Sequence, residues 1–270
     1  MKRFALLALC LFVATAAFAQ KKDKNSKDAA PAAVGKAGKP SGPGPKTKAE
    51  AAAVNDLLKA RSESPDATIA AADNLVTKFP MSDFKSFALY TEANAYQQKN
   101  DLPKSQVYGE QALAADPKSY DADVLLANVI ATTTKDSDFD MADKLKQADK
   151  YAHDALDLLA TAEKPELFVL TDEAWGKVKN EAISQAWQAL GTSALVRKKT
   201  DEAVADYQKG IEANPDPFLM IRAGRALMAA RKFDDAVVYD DKVIAMADAP
   251  AQAKTIAASD KARALAAKGH

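Results

Sequence analysis

The stretch from Trp187 to Pro215 constrains this chain more than any other: W-Q-A-L-G-T-S-A-L-V-R-K-K-T-D-E-A-V-A-D-Y-Q-K-G-I-E-A-N-P. Trp187 and Leu190 stand three apart, so on a helix they share one face. Gly191 falls inside the same helix, where glycine costs about 1 kcal/mol relative to alanine. A small residue there lets a second helix approach closely. Ala203 is the matching small residue on that second helix, and Tyr207, four residues later, lies on the same face. Asn214-Pro215 ends it, because proline disfavours helical backbone in the residue before it. The stretch reads as two helices packed against each other.

The pattern recurs. K-T-D-E-A-V at 199–204 returns as K-F-D-D-A-V at 232–237, an offset of 33 residues, and Gly191 and Gly224 repeat at the same offset. Upstream, Leu89, Ala93 and Tyr96 occupy the first-helix positions of another unit. Asn100-Asp101-Leu102 makes its turn, and Asp116-Pro117 ends it. A further unit begins near Tyr120, with Leu126, Ala127 and Ile130 on one face and Ala148, Ala152 and Ala155 on its second helix. Lys48–Pro80 closes on Phe79-Pro80 but lacks signature residues in its first helix.

W-x₂-L-G followed by A-x₃-aromatic and a closing proline resembles the tetratricopeptide repeat, a helix–turn–helix unit of roughly 34 residues. The match departs from that pattern at Ala194, where an aromatic is usual, and at Gly210, where alanine is usual; Ser105 and Gly109 are further non-standard residues. The chain is similar to exported bacterial members of that class. The resemblance implies an all-α helical-hairpin solenoid: a right-handed superhelix of about five pairs plus a C-terminal cap helix, covering residues 49–270. Such stacks bind other proteins on their inner face. The residue pattern agrees with an all-helical fold, since no alternation of apolar and polar residues reads as a strand.

Two places break the period. Thr132–Asp140 is polar and lengthens the connection inside the third pair. An insertion near 161–183 separates the third and fourth pairs: Lys164-Pro165 breaks the helix, and Thr171 with Asp172 and Glu173 reads as a new helix start. That helix is expected to run from Asp172 to about Arg197, on the order of 40 Å, with its first half projecting beyond the stack. Ala251–Lys268, alanine-rich and charged, is the expected cap helix.

The N-terminus addresses the compartment. Met1-Lys2-Arg3 is basic, Phe4–Val13 is apolar, and Ala17-Phe18-Ala19 is an A-x-A cleavage site, so residues 1–19 read as a secretory signal peptide. The apolar part is shorter than the roughly 20 residues a membrane span needs. Leu9 is too large to precede Cys10 in a lipoprotein signal. Cys10 is the only cysteine and leaves with the signal. A periplasmic location is expected, with an extracellular one as the alternative. Residues 20–48 carry eight lysines against Asp23 and Asp28 and have no aromatic residue. Such composition cannot offset chain entropy by burial, so a disordered basic linker is expected. The remainder carries 27 basic and 35 acidic residues, a net charge of −8. An acidic body speaks against nucleic acid as partner.

Few residues carry catalytic chemistry. Cleavage would leave only His153 and His270, which excludes a Cys-His nucleophile and leaves no multi-histidine metal site. Asp136, Asp138 and Asp140 alternate as in a calcium loop, but the loop glycine and distal glutamate are missing. No phosphate loop or G-x-S-x-G elbow is present. A non-enzymatic chain without cofactor or metal is expected.

The resemblance assigns the inner face to first helices. First-helix residues not used in packing are then Tyr90, Asn94 and Gln97, Val124 and Asn128, Gln188 and Thr192, and Ile221, Arg222 and Arg225. Asparagines can hydrogen-bond an extended peptide backbone, and arginines can pair with a carboxylate. Tyr90 stands where a carboxylate clamp would need lysine. Trp175 falls outside the packing motif; it either packs on Phe168 and Leu170 or anchors a partner. The expected role is a protein–protein interaction scaffold or adaptor of the bacterial envelope, holding a protein or peptide in the groove. The alternative is an envelope-surface binder whose Lys21–Lys48 arm touches anionic lipid or wall polymer, with the solenoid as spacer. Self-association through the terminal helix is left open.

Overall fold

The structure is a computed structural model that describes residues 44–165 and 170–269. The expected signal peptide, most of the expected basic linker, Phe168 and His270 lie outside the described residues. Among the described residues there are eleven helices and no strand. They form five consecutive pairs: α1 (Lys48–Ala60) with α2 (Pro65–Lys78), α3 (Lys85–Gln98) with α4 (Leu102–Ala115), α5 (Tyr120–Thr133) with α6 (Met141–Thr161), α7 (Asp172–Val196) with α8 (Thr200–Ala213), and α9 (Pro217–Ala229) with α10 (Phe233–Ala245). The last helix, α11 (Ala251–Lys268), packs on α9 and α10. This is the helical-hairpin solenoid that the repeats imply.

The turns inside three pairs share one geometry. Asn100, Lys198 and Arg231 have φ of 60°, 63° and 61°. The next amide in each case reaches back five residues: Asp101 to the Tyr96 carbonyl at 2.9 Å, Lys199 to Ala194 at 3.0 Å, Lys232 to Leu227 at 2.9 Å. This is the Schellman closure, which satisfies carbonyls that a helix end would otherwise leave open. Side-chain caps start six helices, from Thr47, Ser64, Asp101, Ser119, Thr171 and Asp216. α8 and α10 lack one and instead carry Asp201-Glu202 and Asp234-Asp235 in the first turn, where acidic groups complement the helix dipole.

Small residues set the packing distance. Ala88, Ala93, Ala112, Ala127, Ala152, Ala186 and Ala203 are all buried where helices meet. Gly210 stands in place of the usual alanine because a β-carbon there would lie 2.8 Å from Leu219 Cδ2 and 3.0 Å from the Ser184 carbonyl oxygen. Lysine–aspartate pairs join Lys99 to Asp66, Lys232 to Asp201 and Lys268 to Asp234 at near-repeat spacing. Such exposed pairs contribute about 0–1 kcal/mol each, so they mark register more than they stabilise it.

The irregular parts have visible causes. Residues 134–140 form the long connection before α6. α7 starts at its Thr171 cap and runs 25 residues. Its first half does not stand clear of the stack as expected: the Trp175 ring rests against Tyr120 of α5 at 6.4 Å between centroids. Ahead of α1, the Gly44 amide donates to Asp83 at 3.3 Å and the Lys46 ammonium pairs with Asp83 at 2.9 Å. The last residues assigned to the linker are therefore held at the α2–α3 turn.

Candidate interaction groove

Three first helices contribute to one polar and aromatic surface. Tyr90 and Asn94 lie one turn apart on α3, Tyr120 and Asp121 open α5, and Trp175 and Glu181 sit in the first half of α7. Most of these are half-buried, and Glu181 is exposed. Tyr90 is within electrostatic reach of both Asp121 and Glu181, and the Asn94 side chain approaches its hydroxyl without a well-formed bond. Burial pushes the Tyr90 hydroxyl well above its ordinary value, with Asp121 adding to it. Burial also raises the Asp121 carboxyl to about 6, and Arg61 at the α1–α2 turn opposes the shift. Glu181 is raised by desolvation and by Asp216. Carboxylates and phenol and indole rings side by side suit an extended polypeptide with cationic or amide groups, since the rings offer flat apolar contact and the acids offer acceptors.

The residues expected in the groove divide into two sets. Tyr90, Asn94, Gln97 and Arg222 keep half-buried or exposed side chains. Asn128 is committed elsewhere: its amide donates to the Val124 and Gln185 carbonyls at 2.9 Å each, and its oxygen accepts from Gln188 at 3.0 Å. It ties α5 to α7. Thr192 donates to the Gln188 carbonyl at 2.8 Å and meets the Tyr207 hydroxyl at 3.3 Å. Arg225 donates from Nε to Asp260 of α11 at 2.6 Å. Val124 and Ile221 are core residues. Tyr120, Asp121 and Glu181 were not among the expected residues. Repeat register held the signal for Asp121, which follows the first-helix residue Phe87 by 34 positions.

Other chemistry is sparse. The aspartates of 136–140 are engaged by lysines, Asp138 and Asp140 by Lys144 at 3.3 and 2.8 Å and Asp136 by Lys198 at 3.4 Å. His153 is exposed, with Nδ1 2.7 Å from the Asp149 carbonyl oxygen. Among the described residues no group of three histidine, cysteine or acidic side chains is placed to hold a metal ion. No described helix is long and apolar enough to cross a membrane.

Paired helices, repeated turns and stacked small residues together define a tetratricopeptide-type solenoid. A solved structure of the same kind is TTC0263, a thermophilic TPR protein of Thermus thermophilus. It is 14% identical to this chain, with 78% of this chain and 98% of that one covered at a TM-score of 0.59. Two others align more loosely. Acl4, the assembly chaperone of RpL4, is 13% identical over 82% of this chain and 98% of its own, at a TM-score of 0.39. Pseudomonas aeruginosa pilF is 18% identical over 66% and 88%, at a TM-score of 0.27. No protein-family model matches the chain, and no curated protein does.

Proposed function

We propose that this protein is a non-enzymatic interaction scaffold of the bacterial envelope that holds an extended segment of a partner protein along its first helices. One observation carries the reading: Tyr90, Tyr120, Asp121, Trp175 and Glu181, from three successive first helices, present aromatic and carboxylate groups on one surface that reaches solvent. Aromatic side chains are over-represented among residues that dominate binding energy. The signal-like N-terminus supports the envelope as the place of this activity.

The test is photo-crosslinking in cells exporting the full chain. A photo-reactive residue replaces Asn94 or Gln97, whose side chains are not committed to another repeat, with Lys261 of α11 as control. A discrete protein adduct from the two groove positions and none from Lys261 supports the reading. Equal labelling at all three positions, or none, sinks it. Asn128 and Arg225 are unsuitable probes because each holds a neighbouring helix.

A further inference from the structure

A second cleft lies on the other helices of the pairs. It has a volume of about 500 Å³ and opens between α4 and α6, with Asp123 of α5 in its lining. Leu113 and Leu158 give it apolar walls, and Asp123, Asp154, Asp157 and Lys150 give it three carboxylates against one ammonium.

Asp123 is the unusual member. It is 2% exposed, and its Oδ1 has no hydrogen-bond partner. It follows Leu89 by 34 residues, so it occupies the register in which the preceding repeat buries a leucine. Burying a carboxylate without a hydrogen-bond partner is unfavourable, and the fold relieves it only in part, through the charge of Lys150. Lys150 is engaged by Asp154 at 2.5 Å. Burial first, and Asp154 second, raise the Asp123 carboxyl to about 7, with Lys150 opposing. Elsewhere in the fold, buried acids do find donors: Glu50 accepts from Ser82 Oγ and the Lys46 amide at 2.6 Å each, and Asp260 meets Arg225 and Arg263. Glu92 and Asp240 lack well-formed bonds, but neither lines this cleft.

The occupant that completes such a site has a cationic head for Asp123 and an aliphatic stem for the leucines. Lysine and arginine side chains have that form, apolar along the stem and charged at the tip. We propose that the α4–α6 cleft receives a lysine or arginine side chain of a partner polypeptide, its charged end against Asp123 and its methylenes against Leu113 and Leu158. The walls of the cleft come from second helices and its buried acid from α5, and none of these is a groove residue, so the proposal does not depend on the groove reading.

The probe is Nα-acetyl-lysine amide, with Nα-acetyl-norleucine amide as uncharged control. Carboxyl carbon NMR follows the titration of Asp123 in the full chain and in a chain lacking residues 20–43. The expected result is a saturable fall of the Asp123 midpoint by about one pH unit, equivalent to a tenfold preference for the ionised site. Acetyl-lysine amide produces it in both chains, the norleucine control does not, and Asp123→Asn abolishes probe binding while keeping the helical spectrum. Lys150→Ala should tighten probe binding several-fold. Absence of a saturable shift in both chains overturns the proposal, as does an equal response to norleucine amide. A midpoint already low in the full chain that rises when residues 20–43 are removed also overturns it, because the chain's own lysines would then be the occupant.

Discussion

The Tyr207 ring lies directly over Gly191: a β-carbon at 191 would stand 2.5 Å from ring atoms Cδ1 and Cε1 and 2.9 Å from the Ala203 carbonyl oxygen. One repeat later the same pair of positions holds Gly224 and Asp240, 33 residues on in each case. A β-carbon at 224 would come no closer than 3.5 Å to any neighbour. The two glycines share a sequence position but not a constraint.

Gly191→Ala should therefore destabilise the fold by about 1–3 kcal/mol, the range for overpacking a tight core. Gly224→Ala should be neutral or stabilising by up to about 1 kcal/mol, because alanine is the better helix former. Urea denaturation of both variants checks this. Equal effects of the same sign would show that Tyr207 is free to move aside.

Stability should fall as pH rises from about 4 toward 7. Glu92 is fully buried, and burial with Asp73 nearby raises its carboxyl to about 7; the Tyr108 hydroxyl approaches without a well-formed bond and opposes the shift. Burial likewise raises Asp123 to about 7 and Asp240 to about 6. In each case the folded value lies above the unfolded one, so the folded state keeps protons that the unfolded chain releases. Stability is then highest at and below the unfolded carboxylate range, falls as pH rises from about 4, and levels off above about 7. Glu92→Gln should flatten the profile by on the order of 2–3 kcal/mol between pH 5 and 8. Thermal denaturation across that range reads it, and an unchanged slope would remove Glu92 as the cause.

The left-handed turns offer a separate lever. Lys198 and Arg231 hold φ of 63° and 61°, which costs a side-chain-bearing residue about 1–2 kcal/mol. Lys198→Gly and Arg231→Gly should each gain about 0.5–1 kcal/mol, once glycine's greater unfolded-state freedom is subtracted. Asn100→Gly should gain less, since asparagine tolerates this region. A loss of stability at Lys198 or Arg231 would contradict the turn geometry.

The two asparagines of the first helices should behave differently. Asn128→Ala removes the link to Gln185 and Gln188 and should cost about 1–2 kcal/mol. Asn94→Ala should stay within about 0.5 kcal/mol, as half-exposed positions without structural bonds do. Chemical denaturation of both variants separates a helix-joining residue from one open to a partner.

Much of the architecture was legible before any coordinates. Trp187, Leu190, Gly191, Ala203 and Tyr207 announce a helix pair, and the 33-residue return announces a stack. The Thr171 cap and the 25-residue α7 were readable from Thr171-Asp172-Glu173 and the uninterrupted pattern that follows. The groove was less legible. Asn94 and Asn128 look equivalent at an offset of 34, yet α7 lies against α5 and takes Asn128 for itself. Asp123 and Asp240 sit in registers that hold Leu89 and Tyr207 in other repeats, and only a comparison of repeats position by position would have singled them out.

The sequence by itself determined helix, turn and pairing, because these depend on neighbours within one or two turns: the 3.6-residue period, the capping side chains, the proline stops. The tertiary structure alone decided which polar residues hold repeats together and which face outward. That choice depends on what the adjacent pair places opposite each side chain. An insertion that breaks the repeat spacing, as between α6 and α7, changes those neighbours without changing any local signal.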